Sequence, residues 1–206
     1  MLQAADLECE RGGRVLFREL SLALEGGALL RVAGANGSGK TSLLRILCGL
    51  LIPAKGEVRW QGTGIRALGE DYSRQLFYLG HASAIKDDLS AAENLAVACK
   101  LAGIAFEDSQ ITAALSRFGL PAQGGFVKKL SQGQRRRAAL ARLALSEAVP
   151  LWLLDEPLAA LDAPAVELVQ ALIKAHAARG GMVVYTTHQG AAIDAMAQVI
   201  TLNGAG

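Results

Sequence analysis

A glycine-rich octapeptide at residues 34–41, GANGSGKT, constrains this chain more than any other feature. It matches the pattern GxxxxGK[ST], follows the apolar run 28–32 and precedes a helical pattern that begins at Lys40. In that context the glycines let consecutive backbone N–H groups converge on phosphate oxygens, and the helix N-terminus adds its positive dipole. Lys40 is predicted to contact the β- and γ-phosphates and Thr41 to bind Mg²⁺. A glycine-rich turn with an incidental lysine is the alternative, and the flanking strand and helix argue against it.

Two acidic residues, Asp155 and Glu156, end the apolar run 149–154. A buried strand that ends abruptly in charge is typical of the carboxyl edge of a parallel sheet, where ligands bind. Asp155 is predicted to hold Mg²⁺ through a water, and Glu156 to orient or deprotonate an attacking water. A helix cap or a surface acid pair is the alternative, since Pro157 also suits a loop. The phosphate-binding loop upstream favours the metal and base roles.

The pentapeptide LSQGQ at 130–134 stands before three arginines and an apolar-periodic helix. The simplest interpretation is a capping box, with Ser131 as N-cap and Gln134 reaching back. The same helix start exposes a hydroxyl, a glycine N–H and a dipole, which together form a second anion site. Two such sites with one nucleotide make sense if Ser131 and Gly133 serve a neighbouring subunit. The arginines at 135–137 are expected to form a solvated or packing face rather than a nucleic-acid site.

Composition excludes several other classes of protein. The chain has 206 residues, which indicates one domain, and an apolar fraction of 51% is ample for a buried core. A net charge of +2 and 5% aromatic residues argue against nucleic acid as a partner. No apolar run approaches the roughly 18 residues of a membrane span, and the start of the chain lacks the pattern of a signal peptide. The three cysteines never stand in CxxC spacing, which favours a reducing compartment.

The last third of the chain alternates apolar runs with helical patterns. The runs are 149–154, 182–186 and 199–202, and the helices are 163–179 and 191–197. This alternation predicts βαβ units and a mostly parallel sheet. Residues 1–25 predict short antiparallel strands joined by a tight turn, and residues 87–117 and 131–145 predict helices.

These elements predict a single α/β domain. A core with a mostly parallel sheet and an antiparallel β lobe is expected over residues 1–85 and 146–206, with a helical subdomain that carries LSQGQ at about 86–145. His176 lies between two alanines of the helix 163–179 and is expected to be exposed and without function.

The motifs GANGSGKT, LSQGQ, VPLWLLDEP, LAALD and TTH, in that order, resemble the nucleotide-binding subunits of ATP-binding cassette (ABC) transporters over nearly the whole chain. LSQGQ is the most specific of them because ordinary P-loop proteins lack it. Within that family, GSGKTSLLRILCGL, FYLGH at 77–81 and LSAAENL at 89–95 are most similar to the ATP-binding subunits of the bacterial cytochrome c maturation system, described as haem exporters. The resemblance implies the P-loop NTPase fold of an ABC ATPase, with ATP and Mg²⁺ as ligands.

The resemblance also implies roles for individual residues. The phosphate-loop positions are Gly34, Asn36, Gly37, Ser38, Gly39, Lys40, Thr41 and Ser42. Ser131 and Gly133 match the signature that caps ATP held by the opposite subunit, and Asp155 and Glu156 match the Mg²⁺ acid and the catalytic glutamate. Leu161-Asp162 matches the loop that couples the two sites.

Three further positions concern a histidine or a departure from the family. His188 matches the switch histidine that senses the γ-phosphate, and its place after an apolar strand also predicts a position at the carboxyl edge of the sheet. His81 stands where most members have glutamine; a substituted contact is expected, and a haem-related or pH-sensing role is the other interpretation. Arg11 stands where an aromatic residue usually stacks on adenine, and a guanidinium can stack on a base with less specificity.

The resemblance therefore implies an ATPase that powers a membrane complex in cytochrome c biogenesis, through haem export or release of a haem-loaded carrier. Two copies would close around two ATPs, with Ser131 of one chain at the γ-phosphate bound to Lys40 of the other. The chain would sit peripherally at the cytoplasmic face of the inner membrane, on integral membrane subunits. A soluble ABC ATPase of cofactor assembly is the alternative. A P-loop kinase or GTPase outside the family is disfavoured because the chain has LSQGQ and lacks an NKxD motif.

Overall fold

The computed structural model describes residues 1–82, 84–121, 124–187 and 192–203. In these residues the strands are β1 (Leu2–Arg11), β2 (Arg14–Leu24), β3 (Leu29–Gly34), β4 (Lys55–Trp60), β5 (Thr63–Gly64), β6 (Leu76–Leu79), β7 (Leu151–Leu154), β8 (Met182–Thr186) and β9 (Gln198–Leu202). The α-helices are α1 (Lys40–Leu47), α2 (Ile65–Leu68), α3 (Glu70–Ser73), α4 (Ala91–Leu101), α5 (Asp108–Arg117), α6 (Gln132–Leu140) and α7 (Ala163–Ala178). Turns of 3₁₀-helix lie at Val127–Lys129, Ala141–Leu145 and Asp194–Met196.

A parallel sheet with the strand order β6-β7-β8-β3-β9 forms the centre of the molecule. β7 and β8 are buried along their whole length, because both faces of a parallel sheet are covered by other elements. Parallel strands end at the same edge, so the residues that follow β3, β6, β7 and β8 lie side by side. The predicted α/β class with a mostly parallel sheet is confirmed.

A second, antiparallel sheet has the order β2-β1-β4-β5. β1 and β2 are joined by Gly12-Gly13, with φ of +58° and +75°, the left-handed conformation that two-residue hairpin turns favour. The strands are longer than the short ones predicted, at 10 and 11 residues. β1 extends so far because it pairs with β2 on one side and with β4 on the other, and shifts of register within both ladders accommodate its length.

Successive side chains of β7 point to opposite faces of the sheet, and each face packs in its own apolar cluster. Trp152 and Leu154 pack in the cluster that contains the buried residues of α4 to α7. Leu151 and Leu153 point to the opposite face and pack in the cluster shared with α1 and the antiparallel sheet. The sheet is therefore held rigidly from both faces, and its carboxyl edge has a fixed geometry.

Two predictions in the second half of the chain are wrong. Of the predicted helix 191–197, the described part contains only the 3₁₀ turn Asp194–Met196, and Ala191 lies outside the described residues. His176 is not exposed: 1% of it is accessible, and its ring stacks on Trp152 with 3.9 Å between centroids. The alanines on either side gave no indication of the helix face.

The division into a core and a helical subdomain stays a prediction.

Candidate nucleotide-binding site

The phosphate loop, residues 34–41, connects β3 to α1 through backbone conformations that favour glycine. Gly34 has a φ of +144°, and a Cβ there would lie 2.5 Å from Ser38 Oγ and 2.6 Å from the carbonyl oxygen of Leu202. Gly39 has a φ of +104°, and its Cβ would lie 3.1 Å from Leu16 Cβ. α1 begins at Lys40 without a side-chain cap. The N–H groups of its first turn are therefore turned toward whatever the loop encloses.

Lys40 lies across this loop and is 8% exposed. Its Nζ donates to the carbonyl oxygens of Gly34 at 2.8 Å and of Ala35 at 3.0 Å. These bonds direct the ammonium group back over the loop, where its positive charge adds to that of the helix N-terminus. The arrangement concentrates donors and positive potential in one place, which suits a phosphate chain.

Asp155 follows β7 and connects three elements through its carboxylate. The group is 2% exposed. Thr41 of α1 donates its hydroxyl to Oδ2 at 2.8 Å, and Thr186 of β8 donates its hydroxyl to Oδ1 at 2.9 Å. A hydroxyl and a carboxylate oxygen therefore lie together beside the loop, and both are ligand types that Mg²⁺ prefers.

Glu156 has the left-handed φ of +52°, which is uncommon for a residue with a Cβ. Its N–H donates to Thr186 Oγ1 at 2.8 Å, and its carbonyl oxygen accepts from Arg136 Nη2 at 2.7 Å. Backbone strain of this kind persists only where neighbouring groups hold it, and it concentrates at functional sites.

Sequence reasoning assigned no role to Thr186 or Arg136. Thr186 could have been found as a polar residue at the end of a buried strand, like Asp155. The arginines were expected on a solvated or packing face, and for Arg136 the structure shows the packing alternative: the residue is 6% exposed and donates to backbone carbonyls of the site, a contact that the sequence did not indicate. The signal was its spacing, since Arg136, Ala139 and Leu140 lie on one buried face of α6.

A cleft of about 670 Å³ opens over the phosphate loop. It is lined by Arg11, Leu16, Asn36, Gly37, Gly39, Lys40, Thr41, Ser42, Arg45, His81, Asp155, Glu156 and Ala159. Of the other predicted site residues, Gly34 and Ser38 belong to the loop itself, and Ser38 is buried. The structure thus brings most of the predicted nucleotide contacts to one place. His188 lies outside the described residues.

Ser131 and Gly133 do not line that cleft in the described part of the chain. They stand at the start of α6, where the predicted capping box is present: Gln134 N–H donates to Ser131 Oγ at 3.2 Å, and Ser131 N–H donates to Gln134 Oε1 at 2.9 Å. Ser131 is exposed. A second cleft, of about 440 Å³, lies beside α6 and is lined partly by His81, Gln132 and Ala160. The two clefts share His81 and Ala159; in the described part of the chain the phosphate loop lines the first, and the start of α6 lies beside the second.

Comparison with known proteins decides the family. The model of the ABC transporter family matches residues 17–159, which is most of the chain and includes the phosphate loop, LSQGQ and the two acids. The chain belongs to the ABC transporter family. The predicted family is thereby confirmed, and ATP is the nucleotide of this ABC ATPase.

Relatives of known description extend over nearly the whole chain. It is 53% identical to the cytochrome c biogenesis ATP-binding export protein CcmA of Nitrosomonas europaea, over 92% of this chain and 89% of the relative. It is 46% identical to the protein of the same description from Albidiferax ferrireducens, over 98% of this chain and 96% of the relative. Family and relatives confirm the prediction of an ATP-hydrolysing transporter subunit and support it over the soluble ABC ATPase.

Solved structures agree in fold. An ATP-binding subunit of an ABC transporter superimposes with a TM-score of 0.87 at 22% identity, over 98% of this chain and 86% of that one. The ATP-binding cassette MJ0796, solved as a dimer in a post-hydrolysis state with ADP and Pi, gives 0.83 at 23% identity, over 98% and 94%. At this identity the likeness shows the fold alone.

Among the described residues, none of the helices combines the length and the apolar character needed to cross a bilayer.

Proposed function

We propose that this subunit powers the export step of cytochrome c biogenesis, through haem export or release of a haem-loaded carrier. It acts as an ATP-sandwich homodimer on integral membrane subunits at the cytoplasmic face of the inner membrane. The observation that carries the catalytic part is the set of bonds that joins Thr41, Asp155 and Thr186 beside the phosphate loop and places Glu156 next to them. The cellular process is supported by the relatives' printed descriptions.

ATP binds through its phosphates to the loop at 34–41. The N–H groups of the loop and of the first turn of α1 donate to phosphate oxygens, and Lys40 supplies a full positive charge. Arg11 lies at the rim of the cleft and is exposed. Its planar guanidinium is suited to stack on the adenine ring, in place of the aromatic residue of other members.

The residues present fit Mg²⁺, with Thr41 Oγ1 and the Asp155 carboxylate as its holders. Their oxygens lie 2.8 Å apart, and both are hard donors. Within the described residues no three His, Cys, Asp or Glu side chains cluster as a metal cage. Such a sparse set suits Mg²⁺, which keeps several waters and shares substrate phosphates. When bound, the ion would neutralise charge that develops on the phosphates.

Glu156 is the general base of the reaction. Its carboxylate accepts a proton from the attacking water, whose oxygen forms a bond to the γ-phosphorus while the bond from that phosphorus to the bridging oxygen of ADP breaks. ADP and inorganic phosphate are the products. Thr186 and Arg136 fix the backbone of Glu156, so its carboxylate starts from a defined position. His188 is proposed to contact the γ-phosphate, and His81 to replace the family's glutamine at the edge of the cleft.

A second protomer completes each site. Ser131 and Gly133 stand at the N-terminus of α6 and are not among the described residues that line their own chain's cleft, so we assign to them an anion held by another chain. A two-fold axis would place each signature over the partner's nucleotide. The dimeric description of the MJ0796 cassette supports this arrangement.

Membrane subunits are the remaining partners. Among the described residues, the most exposed large apolar side chains include Leu50 and Ile52 at 68% and Leu101 at 85%. Exposed apolar surface on a folded chain often marks an interaction site. We assign these side chains and the region near His81 to contacts with the membrane subunits, so that movement at the nucleotide reaches them through the cleft beside α6.

The direct test is affinity capture of the chain from detergent-solubilised membranes, together with ATPase assays on membrane and soluble fractions. We expect integral membrane subunits to co-purify, and cytochrome c assembly to fail when the cell carries only Lys40→Ala, which cannot hold the phosphates. An ATPase found wholly in the soluble fraction, with no loss of cytochrome c assembly when membrane contact is prevented, would contradict the transporter role.

A further inference from the structure

Arg136 is a buried cation that contacts the backbone of two segments at the carboxyl edge of the parallel sheet. Its Nη2 donates to the carbonyl oxygens of Asp155 at 3.1 Å and Glu156 at 2.7 Å. Its Nη1 lies 3.4 Å from the carbonyl oxygens of Gly80 and His81. A single guanidinium on α6 therefore connects the segments that follow β6 and β7.

The neighbouring arginines on α6 do not share this environment. Arg135 is partly exposed and forms an ion pair with Asp87 at 2.6 Å. Arg137 approaches Asp162 at 3.6 Å, ahead of α7. Both contacts are with side chains at the surface, whose contribution to stability is small. Arg135 also donates Nε to the carbonyl oxygen of Leu130 at 3.3 Å, ahead of α6. Of the three, Arg136 is the one that donates to the carbonyl oxygens of the segments after β6 and β7, which makes the other two natural controls.

Burial of a guanidinium is costly unless its donors are satisfied. Burial lowers the pKa of Arg136 from its ordinary value, and the charges of Asp155 and Glu156 oppose that shift. The carbonyl bonds satisfy the donors, and the nearby carboxylates compensate the charge. A neutral residue of similar size would be buried at a lower free-energy cost if packing were its only role. The placement of an arginine here therefore points to a role for its charge and its forked geometry.

The backbone that Arg136 contacts is strained. Glu156 has the left-handed φ of +52°. Its N–H donates to Thr186 Oγ1, and its carbonyl oxygen accepts from Arg136 Nη2 at 2.7 Å and from the N–H of Ala159 at 3.2 Å. A residue whose backbone N–H and carbonyl oxygen are both bonded cannot relax to the ordinary right-handed region without loss of a bond. Of the two donors to the carbonyl oxygen, Arg136 is the one that comes from a helix, α6, outside the loop itself. The direction of the Glu156 side chain follows from that conformation.

We propose that Arg136 is a positioning residue for ATP hydrolysis, which holds Glu156 in its left-handed backbone conformation from the helix that begins at the signature serine. The inference rests on the proposed role of Glu156 as general base. Arg136 touches neither the nucleotide nor the attacking water in this account. Its effect therefore falls on turnover, through Glu156, and not on ATP affinity.

The test is steady-state hydrolysis by Arg136→Gln, with Arg135→Gln as matched control one position away. We expect kcat of Arg136→Gln to fall about 10- to 100-fold, the scale of a misplaced catalytic group, while KM for ATP stays within about threefold. Arg136→Lys keeps the charge and loses the fork, so its kcat should fall by about 3- to 10-fold. Arg135→Gln should keep kcat within about twofold.

A double variant separates this role from a merely structural one. In a Glu156→Gln background, Arg136→Gln should leave the residual hydrolysis and the ATP affinity unchanged, because the carboxylate through which it acts is already gone. A further drop of the same size there would overturn the proposal, as would a wild-type kcat for Arg136→Gln. If Arg136→Gln fails to fold by circular dichroism, the Arg136→Lys variant decides the question, and wild-type turnover would contradict the proposal. Full turnover by Glu156→Gln alone would instead refute the proposed general base.

Discussion

At the scale of single residues, the hydroxyl of Thr186 connects the two acids of the proposed catalytic site. It donates to Asp155 Oδ1 at 2.9 Å and accepts from the N–H of Glu156 at 2.8 Å, and the residue is fully buried. Asp155 thereby keeps its other oxygen toward Thr41. One hydroxyl thus connects the proposed metal ligand, the proposed base and the neighbouring strand.

Replacement of Thr186 by valine should reduce turnover while ATP binding is kept. The change preserves shape but leaves the Glu156 N–H without its acceptor, at a cost of about 1–3 kcal/mol in the free energy of unfolding. We expect kcat to fall about tenfold or more, because the N–H of Glu156 loses its bond to the Thr186 hydroxyl. Thr186→Ser keeps the hydroxyl and should stay near wild type; a loss in Thr186→Ser as large as that in Thr186→Val would contradict the role assigned to the hydroxyl, because serine retains it. Denaturant unfolding and phosphate-release kinetics measure the two effects.

Sequence alone predicted the acids but not the groups that hold them. Asp155 and Glu156 stand out because charge ends an apolar run, which is a local signal. The partners of Glu156 come from β8 and α6, 30 and 20 positions away along the chain. Nothing in a one-dimensional pattern joins those segments, and only the order of the parallel strands and the packing of α6 bring them together.

At the scale of elements, α7 shows how a buried histidine is accommodated. The buried residues Val169, Leu172, Ile173 and His176 of α7 recur at the spacing of one helix face. The ring of His176 lies flat against Trp152 of β7, at an interplanar angle of 5°. A side chain at Gly181 would collide with that ring. The helical spacing of the apolar residues in α7 therefore indicates that His176 is buried, whereas its two neighbours in sequence do not.

His176 should make the fold sensitive to acid. Burial, with a smaller contribution from the Arg179 charge, lowers the pKa of His176 from 6.5 to about 4. Between these values the unfolded chain binds a proton that the folded chain excludes, so the free energy of unfolding decreases as the pH falls through this window. The contribution is complete above about pH 6.5, and about 2 kcal/mol of it should be lost between about pH 7.5 and about pH 5.

The measurement is denaturant unfolding of the wild type and of His176→Phe at those two pH values. Phenylalanine keeps an aromatic ring against Trp152 and cannot bind a proton. We expect the variant to lose less stability than the wild type on acidification, by about 2 kcal/mol. Identical losses in the two proteins would show that His176 does not titrate differently on folding.

At the scale of the whole molecule, two helices of the described chain begin at motifs suited to phosphate, and only one of these helices lines the large cleft. α1 begins at the phosphate loop and lines the large cleft, whereas α6 begins at Ser131, outside it. Both were visible in the sequence, because each is a local motif with its own cap or glycines. Their separation in one chain is a property of the fold, and in the proposed homodimer it is the reason that each complete site takes residues from two chains.

The mass of the ATP-loaded Glu156→Gln protein in solution, measured by light scattering with and without Ser131→Arg, tests this account most directly. Glu156→Gln is expected to bind ATP and hydrolyse it very slowly, and it should have twice the mass of a single chain, with one ATP per chain. Addition of Ser131→Arg should return it to a single chain that still binds ATP, because the bulky cation blocks the signature and not the phosphate loop. A single chain in both cases, or a dimer that Ser131→Arg leaves intact, would contradict the claim that each nucleotide is enclosed by two protomers.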